Sequence, residues 1–312
     1  LQELALLLEE RDRRRRTELR NKIQLAAKQH VLTPDIVEAY AALHLTTDDG
    51  QPLRAFPHHR LWLQFMCDTD VNKLLIIAPP ESAKTTWTIS AYLGARIGIW
   101  PESNVIIGSV AESVAEKRSL SLRGMVVTEE WQETFPDVLP VASKAGLKWE
   151  TREWSVAPGG IPSPGRLHPT ISAYGTGGSI TGSRGDLVLA DDLLDYDNTR
   201  TQHQREQVDN WQHNSLLPRR KSKVGRAFVI GTAWHPEDIY STARFDGSWQ
   251  VVHSPLLSES EKVYAFISYP SNYKGRKLGE PVAPEDAIAM RPENEQMIDA
   301  IRQAEDYAKS SI

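Results

Sequence analysis

The sequence is poor in cysteine: Cys67 is the only one. That excludes an internal disulfide framework and any cysteine-rich zinc site, and it fits a reducing compartment. No apolar run approaches the roughly 18–20 residues needed to span a bilayer, so no membrane span is expected. No signal peptide is expected either, because Arg13-Arg14-Arg15-Arg16 comes before any long apolar stretch. There is no excess of positive charge: the formal net charge is −5. A nucleic-acid partner would therefore need a local basic face. Two segments offer one, Arg11 to Lys28 and Arg219-Arg220-Lys221-Ser222-Lys223, although a charge run is as often a plain solvated surface. Internal repeats and low-complexity tracts are missing as well.

The chain has 312 residues, 40% hydrophobic and 25% charged. That is the composition of an ordinary globular protein with ample material for a core. Residues 1–50 read as an N-terminal helical segment. Leu4, Leu7 and Leu8 lie at helical spacing, and Thr33-Pro34-Asp35 opens a second helix with proline at its first position. Asp48-Asp49-Gly50-Gln51-Pro52 is a turn or linker. Across residues 51–254 apolar runs alternate with helical patterns. Leu74 to Ala78, Asn104 to Gly108, His168 to Tyr174, Asp186 to Ala190 and Arg226 to Gly231 read as buried strands, with Leu147 to Val156 as a hairpin arm. Thr85 to Trp100 carries Ile89, Leu93 and Ile97 on one helical face, and Ala111 to Val126 is a second helix. The predicted fold is therefore α/β, a mostly parallel sheet with helices on both faces. Residues 255–312 read as a linker or small C-terminal subdomain, with a possible strand at Tyr264 to Tyr269 and a polar helix over Pro284 to Tyr307.

A phosphate-binding P-loop has the form G-x-x-x-x-G-K-[ST]. Ala78-Pro79-Pro80-Glu81-Ser82-Ala83-Lys84-Thr85 keeps the lysine and the threonine but has alanine at both glycine positions. Its context is that of a P-loop. A buried strand precedes it and an amphipathic helix follows, so backbone N–H groups and a positive helix end converge on one spot. Glu81, Ser82, Ala83, Lys84, Thr85 and Thr86 are the candidate ATP-binding residues, with Lys84 for the β/γ-phosphates and the Thr85 hydroxyl for Mg²⁺. Alanine at position 83 costs about 1–2 kcal/mol if that residue needs a positive φ. The plain alternative is a strand–turn–helix junction with a solvated lysine.

The strand Leu187-Val188-Leu189-Ala190 ends in Asp191-Asp192, the form of a Walker B motif. Asp191 is the candidate metal ligand together with Thr85, and Asp192 the candidate catalytic acid that positions water. The alternative is an acidic turn, since Asp195 and Asp197 follow. In the glycine-rich loop from Gly175 to Gly185, Arg184 is the lone cation. It is a candidate arginine finger for its own nucleotide or a neighbour's, or else a surface residue paired with Asp186.

These segments resemble the ATPase domain of the large terminase subunit of tailed bacteriophages. Residues 78–85 resemble its Walker A, and 180–192 its glycine loop and Walker B. Gly231-Thr232-Ala233-Trp234-His235-Pro236-Glu237-Asp238 resembles its coupling motif, with Thr232 as sensor and His235 as relay. Phe56-Pro57-His58-His59-Arg60 resembles the segment near the adenine. The chain departs from the family's habits in three places. No arginine lies between Ala78 and Ala83, alanine stands at 233 where arginine is common, and the second acid, glutamate in some members, is Asp192.

The resemblance implies an ATP- and Mg²⁺-dependent motor that moves double-stranded DNA into a viral procapsid. It implies portal protein and small terminase subunit as partners, a homo-oligomeric ring, and the host cytoplasm as location. Large terminases also carry a nuclease, but no acidic cluster of that kind appears after residue 254, so nuclease activity is not expected of this chain. The competing readings are another P-loop helicase or remodelling ATPase, and a catalytically degenerate docking module.

Overall fold

A computed structural model gives the fold; it describes residues 2–141, 148–180, 182–244, 246–254 and 266–268. Two N-terminal helices, α1 (Gln2–Gln29) and α2 (Pro34–His44), lead to α3 (Pro57–Cys67) and strand β1 (Lys73–Ile77). A π-helical stretch, Thr86–Leu93, continues into α4 (Gly94–Ile99). Then come β2 (Val105–Ser109), α5 (Glu112–Val126), α6 (Glu129–Thr134), β3 (Val138–Pro140), β4 (Glu153–Trp154), β5 (Val156–Pro158), β6 (Ile171–Gly175) and β7 (Leu187–Asp191). The described chain closes with α7 (Tyr196–Thr199), α8 (Gln202–Trp211), β8 (Arg226–Gly231), α9 (Ile239–Ala243), β9 (Gln250–His253) and β10 (Phe266–Ser268).

Eight strands form one sheet in the order β10-β9-β1-β8-β7-β2-β6-β4. The six inner strands run parallel, and the edge strands β10 and β4 are antiparallel. The hairpin arm reduces to β4, with Trp149 bridging Trp154, while β5 leaves the main sheet to pair with β3. Inner strands are buried on both faces, so their sequences are unbroken apolar runs. Side chains still alternate: Leu74 and Ile76 join one core, Leu75 and Ile77 the other.

The first core also takes in Ile23 of α1 and Val37 and Tyr40 of α2. The Asp48–Pro52 segment is an exposed turn, closed by a bridge between Thr46 and Pro52, and the helices before it share a core with the sheet after it. Thr33 caps α2 by accepting from the Ile36 amide, as the Thr-Pro-Asp pattern predicts. The helix predicted over Thr85–Trp100 is split into π and α turns. Of the predicted 255–312 subdomain only β10 is described, within the strand predicted over Tyr264–Tyr269; the polar helix predicted over Pro284–Tyr307 lies outside the described residues.

β8 lies between β1 and β7. Its first residue fixes the end of α3. The Arg226 guanidinium donates to the carbonyls of Met66 (2.7 Å), Phe65 (3.1 Å), Asp68 (2.6 Å) and Val71 (2.8 Å). A cation here satisfies the terminal carbonyls of the helix and complements its dipole. Arg226→Met should lower unfolding free energy by about 3 kcal/mol, because several part-buried carbonyls lose a charged donor at once. Urea denaturation followed by circular dichroism measures it.

Candidate active site

Parallel β1, β8 and β7 end at the same edge of the sheet, and the chain leaving each one builds the site. After β1 the backbone stays tied to the sheet: the Ala78 amide donates to Gly231 O at 3.0 Å. It then loops to Thr85 with positive φ at Glu81 (61°) and Ala83 (55°). Ala83 therefore carries the strain anticipated for that position. The loop is held from inside by Ser82 Oγ donating to Pro79 O at 2.8 Å. It is held from outside by His59, whose Nδ1 accepts from the Phe56 amide, leaving Nε2–H for Ser82 O at 3.0 Å. Burial keeps the His59 imidazole neutral.

Lys84 is 5% exposed and folds across the loop. Its ammonium donates to Pro79 O (2.8 Å), Ala78 O (3.4 Å) and Thr232 Oγ1 (2.9 Å). Burial lowers its pKa, while Asp192 and Asp191 pull it back up. Thr232, at the tip of β8, also donates to Ala78 O at 3.1 Å. Thr232 and Lys84 are thereby in direct contact.

At the tip of β7, Asp191 is fully buried. Thr85 Oγ1 lies 2.9 Å from its Oδ2 and 3.2 Å from Oδ1, across 106 residues of sequence. Arg118 Nε donates to the same Oδ2 at 3.1 Å. Burial, then the neighbouring Asp192, push the Asp191 carboxyl up to about 6; Arg118 and Thr85 oppose them. Asp192 has φ 46°, a left-handed conformation that aspartate tolerates better than most residues. Its Oδ1 is buried with no hydrogen-bond partner in the protein. Burial raises its pKa too, against the pull of Lys84. Of the acids downstream, Asp195 is the N-cap of α7 and Asp197 is an exposed surface residue.

Lys84, Thr85, Thr86, Asp192, Thr232 and Trp234 line a cleft of about 340 Å³, with Pro80, Glu81 and Ala83 on its loop side. The donors suit Mg²⁺. A hydroxyl, a carboxylate and an orphaned carboxylate oxygen are hard ligands, and among the described residues no cluster of three or more His, Cys, Asp or Glu could cage a metal alone. Mg²⁺ is commonly held by one or two protein oxygens with phosphate and water completing the shell.

Two predicted residues fall elsewhere. Arg184 precedes β7 and therefore lies at the opposite, amino edge of the sheet. The five residues of β7 put roughly 16 Å between it and the cleft. Its guanidinium donates to Pro218 O at 2.8 Å. It cannot serve as a finger for its own nucleotide, and Asp186 pairs with Lys221 instead (2.9 Å). His235 stays in its own turn: Nδ1 accepts from the Glu237 amide at 3.0 Å, and the ring is outside the cleft lining. The organiser of that turn is the buried Asp238, which accepts from the amides of Trp234, His235, Tyr240 and Ser241. Trp234 is 47% exposed at the cleft rim.

Arg118 was not anticipated. It sits on the inward face of α5, among the buried Ala115, Ser119 and Leu122. A charge at an apolar-periodic position of the helix after β2 was the one available signal.

Fold and site together define an α/β protein with a mostly parallel sheet, whose β1, β7 and β8 tips build one polar cleft. No family model matches the chain, and no curated protein does. Solved structures similar to it include the HK97 bacteriophage large terminase, at 15% identity and TM-score 0.44, with 69% of this chain and 41% of that one covered. The large terminase ATPase domain of Thermus phage P74-26 is 15% identical with TM-score 0.42, covering 65% and 75%. This chain thus spans less than half the length of the HK97 protein. At such identities and scores, the functional reading rests on the site's own geometry.

Proposed function

We propose that the chain is a Mg²⁺-dependent ATPase whose turnover drives double-stranded DNA into a viral procapsid, as the ATPase portion of a terminase large subunit. The observation that carries the ATPase reading is the contact of Thr85 with Asp191. It brings the residue after the P-loop lysine onto the strand-tip acid, with Lys84 alongside on Thr232. Lys84 and the amides of 81–86 hold the phosphates, and Thr85 and Asp191 hold Mg²⁺. Bound Mg²⁺ would neutralise charge developing on the phosphate oxygens. Asp192 orients the attacking water and takes its proton, a task helped by the basicity that burial gives it. Thr232 touches Lys84 and so reports the occupancy of the cleft to β8.

The packaging role rests on the sequence resemblance, as do the partners: portal protein, small terminase subunit, and neighbouring copies in a ring. In such a ring Arg184, on the edge opposite the cleft, acts on the adjacent subunit's nucleotide. DNA is held through its phosphates at exposed basic loops. Among the described residues no helix is long and apolar enough to cross a membrane, and the proposed location is the host cytoplasm. The direct test is phosphate release from ATP with and without Mg²⁺, then with added duplex DNA over a salt series. The expected result is Mg²⁺-dependent turnover, with DNA binding that falls steeply as salt rises. Absence of Mg²⁺-dependent hydrolysis removes the reading.

A further inference from the structure

The ion pair between Arg118 and Asp191 has unequal partners. Asp191 is fully buried at a strand tip and cannot leave, whereas the Arg118 side chain is 32% exposed and rises from the one face of α5 that packs inward. The guanidinium sits on Oδ2, the carboxylate oxygen nearest Thr85 Oγ1 at 2.9 Å. A divalent cation held by Thr85 and Asp191 would come close to that oxygen, since both carboxylate oxygens lie within 3.2 Å of the same hydroxyl. Two positive charges on one carboxylate oxygen repel each other, and the one on a flexible, partly solvated stem gives way. Arg118 also acts on Asp192, favouring its ionised form.

We propose that Arg118 is a resident counter-ion of the metal site, which competes with the divalent metal for Asp191 and is displaced from it when the metal binds. The proposal deepens the ATPase reading and rests on the assignment of Thr85 and Asp191 as metal ligands. Its consequence is a positioning role. Without metal, Arg118 holds the buried carboxylate beside Thr85. With metal, a freed guanidinium remains on α5 close to both acids, in the same subunit.

The test is titration of the nucleotide-free protein with Mn²⁺ alone at pH 8, read by the loss of the free-ion electron paramagnetic resonance signal. Arg118→Gln should bind Mn²⁺ about tenfold more tightly than the wild type, because a competing charge is gone. Arg118→Lys, which keeps the charge, should stay within about twofold of the wild type. The gain in Arg118→Gln should vanish in an Asp191→Asn background, which separates competition at this carboxylate from a general change in structure. If Arg118→Gln fails to bind Mn²⁺ more tightly than the wild type, including the case in which neither binds, the proposal is overturned. So it is if the gain survives in Asp191→Asn. Failure of the ATPase reading shows separately, as absence of Mg²⁺-ATP turnover in the wild type, since the Mn²⁺ titration involves no nucleotide.

Discussion

Replacing Lys84 with alanine should lower ATP turnover by about a thousandfold, while leaving the fold intact. Lys84 is the cation whose ammonium stands in the cleft itself, in contact with Thr232 and with the carbonyls of Ala78 and Pro79. A charge aimed at the transferring phosphoryl group in a partly buried site supplies about 4 kcal/mol of transition-state stabilisation, which is that factor in rate. The structural cost is smaller. Alanine gives up three hydrogen bonds, but it also removes an ammonium whose pKa burial already depresses, and these two effects oppose each other. Steady-state phosphate release, with circular dichroism as the folding control, decides it. Turnover within tenfold of the wild type would mean that the cleft at the end of β1 is not where phosphate is transferred.

Much of this cleft is legible in the sequence because the legible parts are local. β1, β7 and β8 are apolar runs ended by Ala-Pro-Pro, Asp-Asp and Gly-Thr, and a parallel sheet places such ends side by side. The strain at Ala83 was legible for the same reason: a loop of this shape needs a left-handed residue there whichever side chain is present. Arg118 was not legible, because its partner lies 73 residues away and is met only when α5 folds back over the edge beside β7. Arg184 falls away from the cleft of its own chain for a topological reason. A parallel strand restarts at the amino edge, so a residue just before β7 stands a strand's length from one at its tip. His235 was read as a relay from its place just after β8 and from the resemblance, against the alternative of a satisfied polar residue. Asp238, three residues on, gathers the amides of the turn and leaves the imidazole a local partner.

Asp192→Asn should reduce kcat by about a hundredfold or more while ATP and Mg²⁺ still bind. The substitution keeps the shape of the site. Asparagine accepts the left-handed conformation at φ 46° as readily as aspartate, so the hydrogen bonds of its backbone, from its amide to Ile230 O and to its carbonyl from Val110, survive. What disappears is the proton acceptor, together with a negative charge that repels the triphosphate. Nucleotide affinity should therefore hold or tighten as turnover falls, a split that a merely misfolded site would not show. Stability gives a second readout. The folded-state pKa of Asp192 is raised, so ionising it costs stability at neutral pH, and that cost is recovered as pH falls through the folded value. Asp191, whose carboxyl is pushed up to about 6, behaves the same way in metal-free protein. In chelator Asp191 should thus contribute a gain in stability as pH falls from 7 towards about 5, against the loss from the buried, neutral His44, His58, His59 and His253, so wild type and variant are compared at each pH. Asp192→Asn should be more stable than the wild type at pH 7, with a lead that shrinks as pH falls. Asp191→Asn should behave likewise in that titration, but it should also lose the Mg²⁺ dependence of nucleotide binding, because it removes a metal ligand rather than the base. An Asp192→Asn variant that keeps wild-type kcat would move the water-activating role to another residue.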